Sequence, residues 1–396
     1  MNDEIDAVLS IPTHPFFTGG AHFKSGRELP ATLPFDLGIH PKYAIPRLVM
    51  TDEIRRALGN AYSAGSMVST PLGESPLAAA RMNEVLVKLL SLFDNTIEGR
   101  KFLEVGCGNG ELLNQLKLRG AIVTGLEIGP QAKVVEDRYG IRVLREPLAI
   151  GTLDEKFDCI YSYGCLEHIE NLDAFFAASR EYLNEGGVFF HSVPNSALSF
   201  EHVQLDHLLH EHLNYFTPNN GVALFNAQGF CTAESSLTSA GNEVMLWGFY
   251  QKSVTPRWPL ELVAEETALL QYYANKLEQK IKLTLGALRQ IVLDGQSIGF
   301  YAGGFEYGFH LATGEIRYFD GDIYKHGKQW LPGLGVIESP GELIFNPVDK
   351  LIICKPHYFD EIKNTLIQLK VDEKCIVDID SLGSSEVQSR GNGLRC

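Results

Sequence analysis

What the chain has little of narrows its function before any motif is read. Its 396 residues carry a net charge of −15 and no local basic patch; the densest run of lysines, from Lys276 to Lys282, is interrupted by Glu278. A strongly acidic surface repels phosphate backbones, so nucleic acid is not an expected partner, whereas an anionic small molecule in a locally positive pocket is. No run of about 18 apolar residues occurs, so no membrane span or membrane partner is expected. The opening MNDEIDAVLS has neither the basic nor the apolar region of a secretion signal, and the expected location is cytoplasmic. The seven cysteines form no C-x-x-C pair, which argues for reduced, buried thiols rather than a disulfide framework or a zinc site. There is no repeat of fixed period, and no feature specifies an oligomer.

What is present is the composition of an ordinary soluble protein, 45% apolar and 21% charged, on a chain long enough for two or three domains. Residues 1–75, rich in Pro and Gly, form a small irregular N-terminal module. Apolar residues at helical spacing (Met82, Val85, Leu86, Leu89, Leu90, Phe93) predict a helix over 76–98. From 101 to about 250 short apolar runs alternate with helical segments, the pattern of a parallel α/β sheet, with strands at 101–106, 121–127, 141–145, 157–162, 187–193, 229–235 and 243–250. The first large domain is therefore 76–251. After the linker 252–259 comes a long helix over 260–293 and a second, smaller α/β domain, 260–385. The polar tail 386–396 is expected to be disordered.

The most informative stretch is KFLEVGCGNGELLNQLKLRGAIVTGLEIG, starting at Lys101. A strand runs directly into Gly106-x-Gly108-x-Gly110, and a helical pattern follows. Glycines there allow a sharp turn and close approach of a ligand, and Glu127, about twenty residues on, can bind both ribose hydroxyls. The loop departs from the G-x-G-x-x-G of NAD binding, because its third glycine comes one residue early. Glu104, just inside the first strand, suits the ammonium of an amino-acid-bearing cofactor. LEVGCGNG, Glu127, FDCIYSYGCLEHIEN and LNEGGVFFHSVPN resemble, in that order, the successive motifs of class I S-adenosylmethionine (SAM) methyltransferases. The resemblance implies a Rossmann-like sheet with SAM as cofactor. It places Gly106, Gly108, Asn109 and Gly110 along the methionine part, Glu127 on the ribose, Ile128 beside the adenine and Glu146 at its edge. Tyr163 and Gly164 close the site. Glu167 and His168 are expected to cap and pack the following helix.

LDHLLHEHLNYF, residues 205–216, sets three histidines and two acids among leucines and aromatics. It lacks the H-E-x-x-H order of a zincin, and on a helix His212 would point about 140° away from His207, so no metal is expected. Histidine is instead the commonest group for removing a proton from a carbon acid or hydroxyl, and a neighbouring carboxylate steadies the imidazolium. The segment follows the fifth strand, at the carboxyl edge where substrates sit. HEHLNYF after VPN is similar to the Tyr-His-Glu-His-x-x-Tyr-Phe motif of the sugar C-methyltransferases that act on nucleotide-linked keto-deoxysugars. GFYAGGFEYG, YFDGDIYKHGKQWLPGLGVI and YFDEI resemble that family's C-terminal domain, so the likeness covers roughly 75–385. It implies His212 as the base that forms an enolate, Glu211 as its supporting acid and Tyr62 as a tyrosine approaching from the N-terminal module. Asn195, His207, His210, Tyr215, Gly304 and Lys328 are the residues expected to meet the acceptor, with the Gly turn at 301–308 opening a helix suited to anions. Two departures stand out. Leu209 occupies the position of the motif's tyrosine, and the family's zinc-binding cysteine pairs have no counterpart before Cys107. The expected function is C-methylation of a nucleotide-linked keto sugar or similar anionic molecule. The alternatives are O- or N-methylation of another metabolite, or a non-catalytic SAM-binding sensor or scaffold.

Overall fold

Short apolar runs separated by amphipathic helices assemble here into one seven-stranded sheet and one five-stranded sheet. The computed structural model describes residues 5–17, 19, 29–63, 71–239, 242–308 and 316–382. In chain order the first elements are β1 (Ala7–Pro15), β2 (Thr32–Ile39), β3 (Pro46–Leu48), α1 (Asp52–Ser63), α2 (Pro76–Ser91), β4 (Lys101–Val105), α3 (Glu111–Lys117) and β5 (Ile122–Leu126). They are followed by α4 (Gln131–Tyr139), β6 (Arg142–Leu144), β7 (Phe157–Tyr163), α5 (Leu172–Tyr182), β8 (Leu183–Pro194), α6 (Ser196–Glu201), α7 (Pro218–Ala227), β9 (Phe230–Leu237) and β10 (Glu243–Tyr250). The remainder comprises α8 (Val263–Leu293), β11 (Ile298–Tyr301), β12 (Ile316–Phe319), β13 (Ile337–Glu338), α9 (Glu342–Phe345), β14 (Lys350–Ile353), α10 (Phe359–Gln368) and β15 (Ile376–Asp378).

The chain divides into two compact units. One holds Met1–Ser10, Phe35–His202 and His210–Gln271; the other holds Ile11–Pro34, Val203–Leu209 and Tyr272–Cys396.

The first unit is built on the sheet β6-β5-β4-β7-β8-β10-β9. β4 pairs in parallel with β5 (Leu103↔Thr124) and with β7 (Leu103↔Ile160), and β7 in parallel with β8 (Ile160↔Phe189). Side chains alternate across this sheet as a period of two requires. Leu103, Val105, Ile160, Phe189 and Val193 enter one core, and Phe102, Cys159, Tyr161, Val188 and Phe190 the other. Both faces are covered, which is why these strands read as near-continuous apolar runs. Chain order reverses between β4 and β7, and a crevice at such a switch point, beyond the carboxyl ends of the strands, is where α/β sheets bind ligands.

The Rossmann-like α/β fold expected from the sequence is present. Several details differ. β10 runs antiparallel to both neighbours (Trp247↔Phe190, Trp247↔Glu234) inside the sheet expected to be parallel. α2 stops at Ser91, short of the predicted 98, because Asp94 and Asn95 turn the backbone left-handed (φ 51° and 60°), which short polar side chains tolerate. β8 begins at Leu183, four residues before the predicted strand. The N-terminal stretch is less irregular than expected: it contains β1–β3 and α1, with Leu37↔Leu48 and Ile39↔Pro46 paired antiparallel.

The second unit carries the all-parallel sheet β13-β12-β11-β14-β15 over a core including Phe319, Leu351, Ile353 and Leu366. The predicted disordered tail lies outside the described residues. Among the described residues no helix is long and apolar enough to cross a membrane, and all six cysteines are free thiols.

Candidate active site

The loop after β4 needs its glycines. Gly106, Gly108 and Gly110 all have positive φ (71°, 52° and 73°), where a side chain is strained. Space forbids one as well: a Cβ on Gly106 would lie 2.8 Å from Cys165 Sγ, and one on Gly110 would lie 2.6 Å from Val135 Cγ1. Gly106 N and Cys107 N both donate to Leu126 O (2.8 and 3.0 Å), so the loop folds back over the end of β5. Glu127, just past that strand, fixes it. Its Oε2 accepts from Gly108 N (2.9 Å) and its Oε1 from Gly129 N (2.7 Å). Asn109 is tied by its amide to Leu72 O (2.7 Å). Ile128, next to Glu127, is 59% exposed, and Glu146 is exposed too.

Glu104 lies beneath this loop, only 2% exposed, and accepts a hydrogen bond from Tyr161 OH (3.0 Å). Burial pushes its carboxyl up to about 8, against the opposing pull of the Tyr161 bond. Tyr163, at the end of β7, donates to Glu243 Oε1 (2.7 Å), which Arg81 also holds (Nε, 2.9 Å). Gly164 continues with φ 62°. These predicted cofactor residues therefore lie at the ends of β4, β5, β6 and β7.

The histidine stretch is not a helix, so the helical angles used to separate its side chains do not apply. It also divides: His207 and Leu209 fall in the second unit, whereas His210, Glu211, His212 and Tyr215 fall in the first. In the first unit residues 213–215 are fixed on one side to the turn after β7 and on the other to β3, where Asn214 bridges Arg47. Leu213 N and Asn214 N donate to Glu167 O (2.8 and 3.0 Å), and the Asn214 amide donates to Ile169 O (2.8 Å). Leu48 N donates to Leu213 O (3.0 Å) and Tyr215 N to Pro46 O (2.9 Å).

This pairing sets His212 beside His168, ring centroids 5.2 Å apart, and Tyr62 edge-on to His168 at 6.4 Å. His168 Nδ1 lies 2.6 Å from Glu211 O. A carbonyl only accepts, so Nδ1 carries the hydrogen and the neutral ring's lone pair is on Nε2. Glu167 Oε1 is 3.7 Å from that Nε2. Glu167 and His168 lie in a single 3-10 turn and are packed as expected, but the cap of the following helix is Asn171, whose Oδ1 accepts from Ala174 N (3.0 Å). Glu167 is 3% exposed, and its Oε2, like Tyr62 OH, is buried without a hydrogen-bond partner. Burial raises the Glu167 carboxyl to about 8 and lowers His168 to about 4; burial first, then the Glu211 charge, lifts the Tyr62 phenol well above its ordinary range. The signal for Glu167 and His168 was available, since they follow β7 directly at the switch point.

The other predicted acceptor residues have local occupations. Asn195 caps α6 through Ala197 N (3.2 Å). His210 is buried with Phe35 edge-on at 5.2 Å, and Tyr215 packs with Phe200. In the second unit, burial holds His207 down to about 4. The Gly turn there does not open a helix suited to anions. Among the described residues the 3-10 turn Phe305–Tyr307 follows, and Gly304 N already donates to Glu306 Oε2 (2.6 Å). Lys328 Nζ lies 3.1 Å from the centre of the Tyr324 ring.

A family model described as a methyltransferase domain matches residues 78–234. The ubiquinone biosynthesis O-methyltransferase of Pasteurella multocida is 27% identical over 135 residues, 30% of this chain and 56% of that protein. The enzyme of the same name from Photobacterium profundum is 30% identical over 146 residues, 32% of this chain and 62% of that protein. The chain thus spans somewhat over half the length of these curated relatives. Among solved structures, the Burkholderia thailandensis 1,6-didemethyltoxoflavin-N1-methyltransferase with bound 1,6-didemethyltoxoflavin and S-adenosylhomocysteine covers 59% of this chain and 100% of its own, at 16% identity and TM-score 0.39. The Synechocystis magnesium protoporphyrin IX methyltransferase with bound SAM covers 51% and 99%, at 14% identity and TM-score 0.36. Residues 78–234 are thus similar to a methyltransferase domain.

Proposed function

We propose that the chain methylates a small molecule whose acceptor atom must first lose a proton, and that the first unit performs both the binding of SAM and the proton removal. The observation that carries this reading is the gathering of Tyr62, Glu167, His168, Glu211 and His212 beside the glycine loop. Cys165, which packs against Gly106, is two residues before Glu167.

The residues present fit the cofactor. Three left-handed glycines leave the backbone open to close approach. Glu127 keeps its two oxygens at fixed positions by accepting from Gly108 and Gly129, with lone pairs left for a ribose. Gly106, Gly108, Asn109 and Gly110 would hold the amino-acid end, with Glu104 toward its ammonium. Ile128 and Glu146 would face the adenine, and Tyr163 and Gly164 would close the site. Bound SAM supplies an electrophilic methyl on a sulfonium.

The chain's own part is then deprotonation. His212 takes the acceptor's proton and Glu211 supports it, as the HEHLNYF motif suggests; His168, held by its Nδ1–H to Glu211 O, steadies the wall beside it. The first reading of the acceptor is a carbon acid next to a ketone on a nucleotide-linked sugar or similar anionic molecule, so that the product carries a new C-methyl group. The names of the relatives favour a second reading, a hydroxyl acceptor and an O-methyl product.

His212→Gln is expected to abolish turnover while leaving SAM binding within about twofold of the parent. Proton–carbon NMR of the product separates the readings, because C-methyl and O-methyl carbons resonate far apart. Normal turnover by the variant would remove His212 from the mechanism.

A further inference from the structure

We infer that Glu167, His168 and His212 form a divalent-cation site that holds the oxygen of the acceptor. The inference rests on the reading that this cluster activates the acceptor, and it replaces the metal-free site expected from the sequence.

Three observations carry it. First, each of the three residues offers one ligand atom, and these atoms all lie within 4.8 Å of one another, close enough to share one ion. Second, the His168 tautomer is the one a metal ligand needs. Nδ1–H donates to the backbone carbonyl of Glu211 at 2.6 Å, leaving the Nε2 lone pair toward Glu167. Metal-bound histidines are oriented in this way by a carbonyl or carboxylate on the far nitrogen. Third, that lone pair faces Glu167 Oε1 at 3.7 Å, longer than a hydrogen bond, while Glu167 Oε2 is buried without a partner. A cation between Glu167 Oε1 and His168 Nε2 would give both atoms a partner.

Two imidazoles and one carboxylate suit Zn, Mn, Fe or Co rather than calcium, and three protein ligands leave positions open, as in catalytic rather than structural sites. The class of acceptor follows. It must present an oxygen to the ion, either a hydroxyl or the carbonyl of an enolisable ketone, and the ion lowers the cost of removing its proton. With the ion in place His212 is a ligand and not a base, and proton removal passes to Glu211.

The test is cobalt(II) titrated into the full chain after chelator treatment, followed by visible absorption and by elemental analysis after gel filtration. One equivalent bound is expected, with d–d bands of a low-coordinate site, and Glu167→Gln or His168→Gln should weaken binding at least tenfold while S-adenosylhomocysteine still binds. Uptake below a tenth of an equivalent, or equal affinity in both variants, overturns the cation site. So does full methyl transfer by the chelator-treated chain, which would leave the His212 base reading standing. One equivalent bound and lost in the variants, with no methyl transferred to any acceptor, would uphold the cation site and sink the methyl-transfer reading instead.

Discussion

Glu127→Gln is the sharpest test of how the cofactor loop is held. The carboxylate accepts from two backbone donors with two different oxygens, Gly108 N on Oε2 and Gly129 N on Oε1. Glutamine keeps the length of the side chain but has one acceptor oxygen and one amino group. One of the two N–H groups must then face a donor. Losing one hydrogen bond to a charged acceptor removes about 1.5–3 kcal/mol. Gly108 stands at φ 52° in the middle of the loop, so release of its N–H frees the segment a ligand must lie against. At about 1.4 kcal/mol per tenfold in affinity, the Kd for S-adenosylhomocysteine should rise roughly tenfold to a hundredfold. Isothermal titration with that product measures it without turnover. An unchanged Kd, within about twofold, would mean that the glycine backbone holds its shape without Glu127.

Two further substitutions probe other parts of the first unit. Gly110→Ala places a Cβ 2.6 Å from Val135 Cγ1 at φ 73°, so it combines overlap with a left-handed strain of about 1–2 kcal/mol. Its melting temperature should fall, and adding Val135→Ala should recover only part of the loss; full recovery would show that backbone strain contributes nothing. Glu266, buried in α8 beside Thr217 Oγ1 (3.5 Å), has its carboxyl raised by burial to about 7 from the usual 4.5. The folded state therefore binds more protons than the unfolded one between these values, and stability declines as pH rises through that window, by about 3 kcal/mol at most. Glu266→Gln should flatten the decline and be the more stable protein at pH 8 by denaturant unfolding; a constant difference between the two from pH 5 to 8 would refute the assignment.

The backbone of the glycine loop was legible in the sequence because its determinants are local. A strand, three glycines at fixed spacing and an acid one βαβ unit later constrain the backbone directly, and the observed φ values and the Glu127 bonds are the physical content of that pattern. The strands from β4 to β10 were legible for the same reason, since runs buried on both faces are apolar. The direction of β10 was not, because pairing partners lie far apart in sequence. The acceptor end was legible only in part. Its residues reach one another through hydrogen bonds between β3, the turn after β7 and residues 211–215, with β3 more than 100 residues from the other two. Spacing within 205–216 suggested a helix, and helical angles misplaced His212 relative to its neighbours. Glu167 and His168 read as capping residues because they stand between a strand and a helix, although their place at the switch point marks them for a site.

The division of the histidine stretch also changes which hydroxyl matters. The family motif carries its tyrosine at the position of Leu209, and Leu209 falls with the second unit. Tyr62, at the end of α1, shares a unit with His212 and lies edge-on to His168 with its OH buried and without a partner. A buried hydroxyl without a partner costs about 1–3 kcal/mol, and a fold keeps such a group where something else satisfies it. An acceptor oxygen placed against His168 and His212 is the group of the right kind, because it can accept from a phenol that burial keeps protonated. We propose that the loss of the motif's tyrosine does not remove the hydroxyl from the chemistry. On that proposal Tyr62, from the N-terminal part of the chain, would be the donor that polarises the acceptor, and this would serve a ketone and a hydroxyl alike.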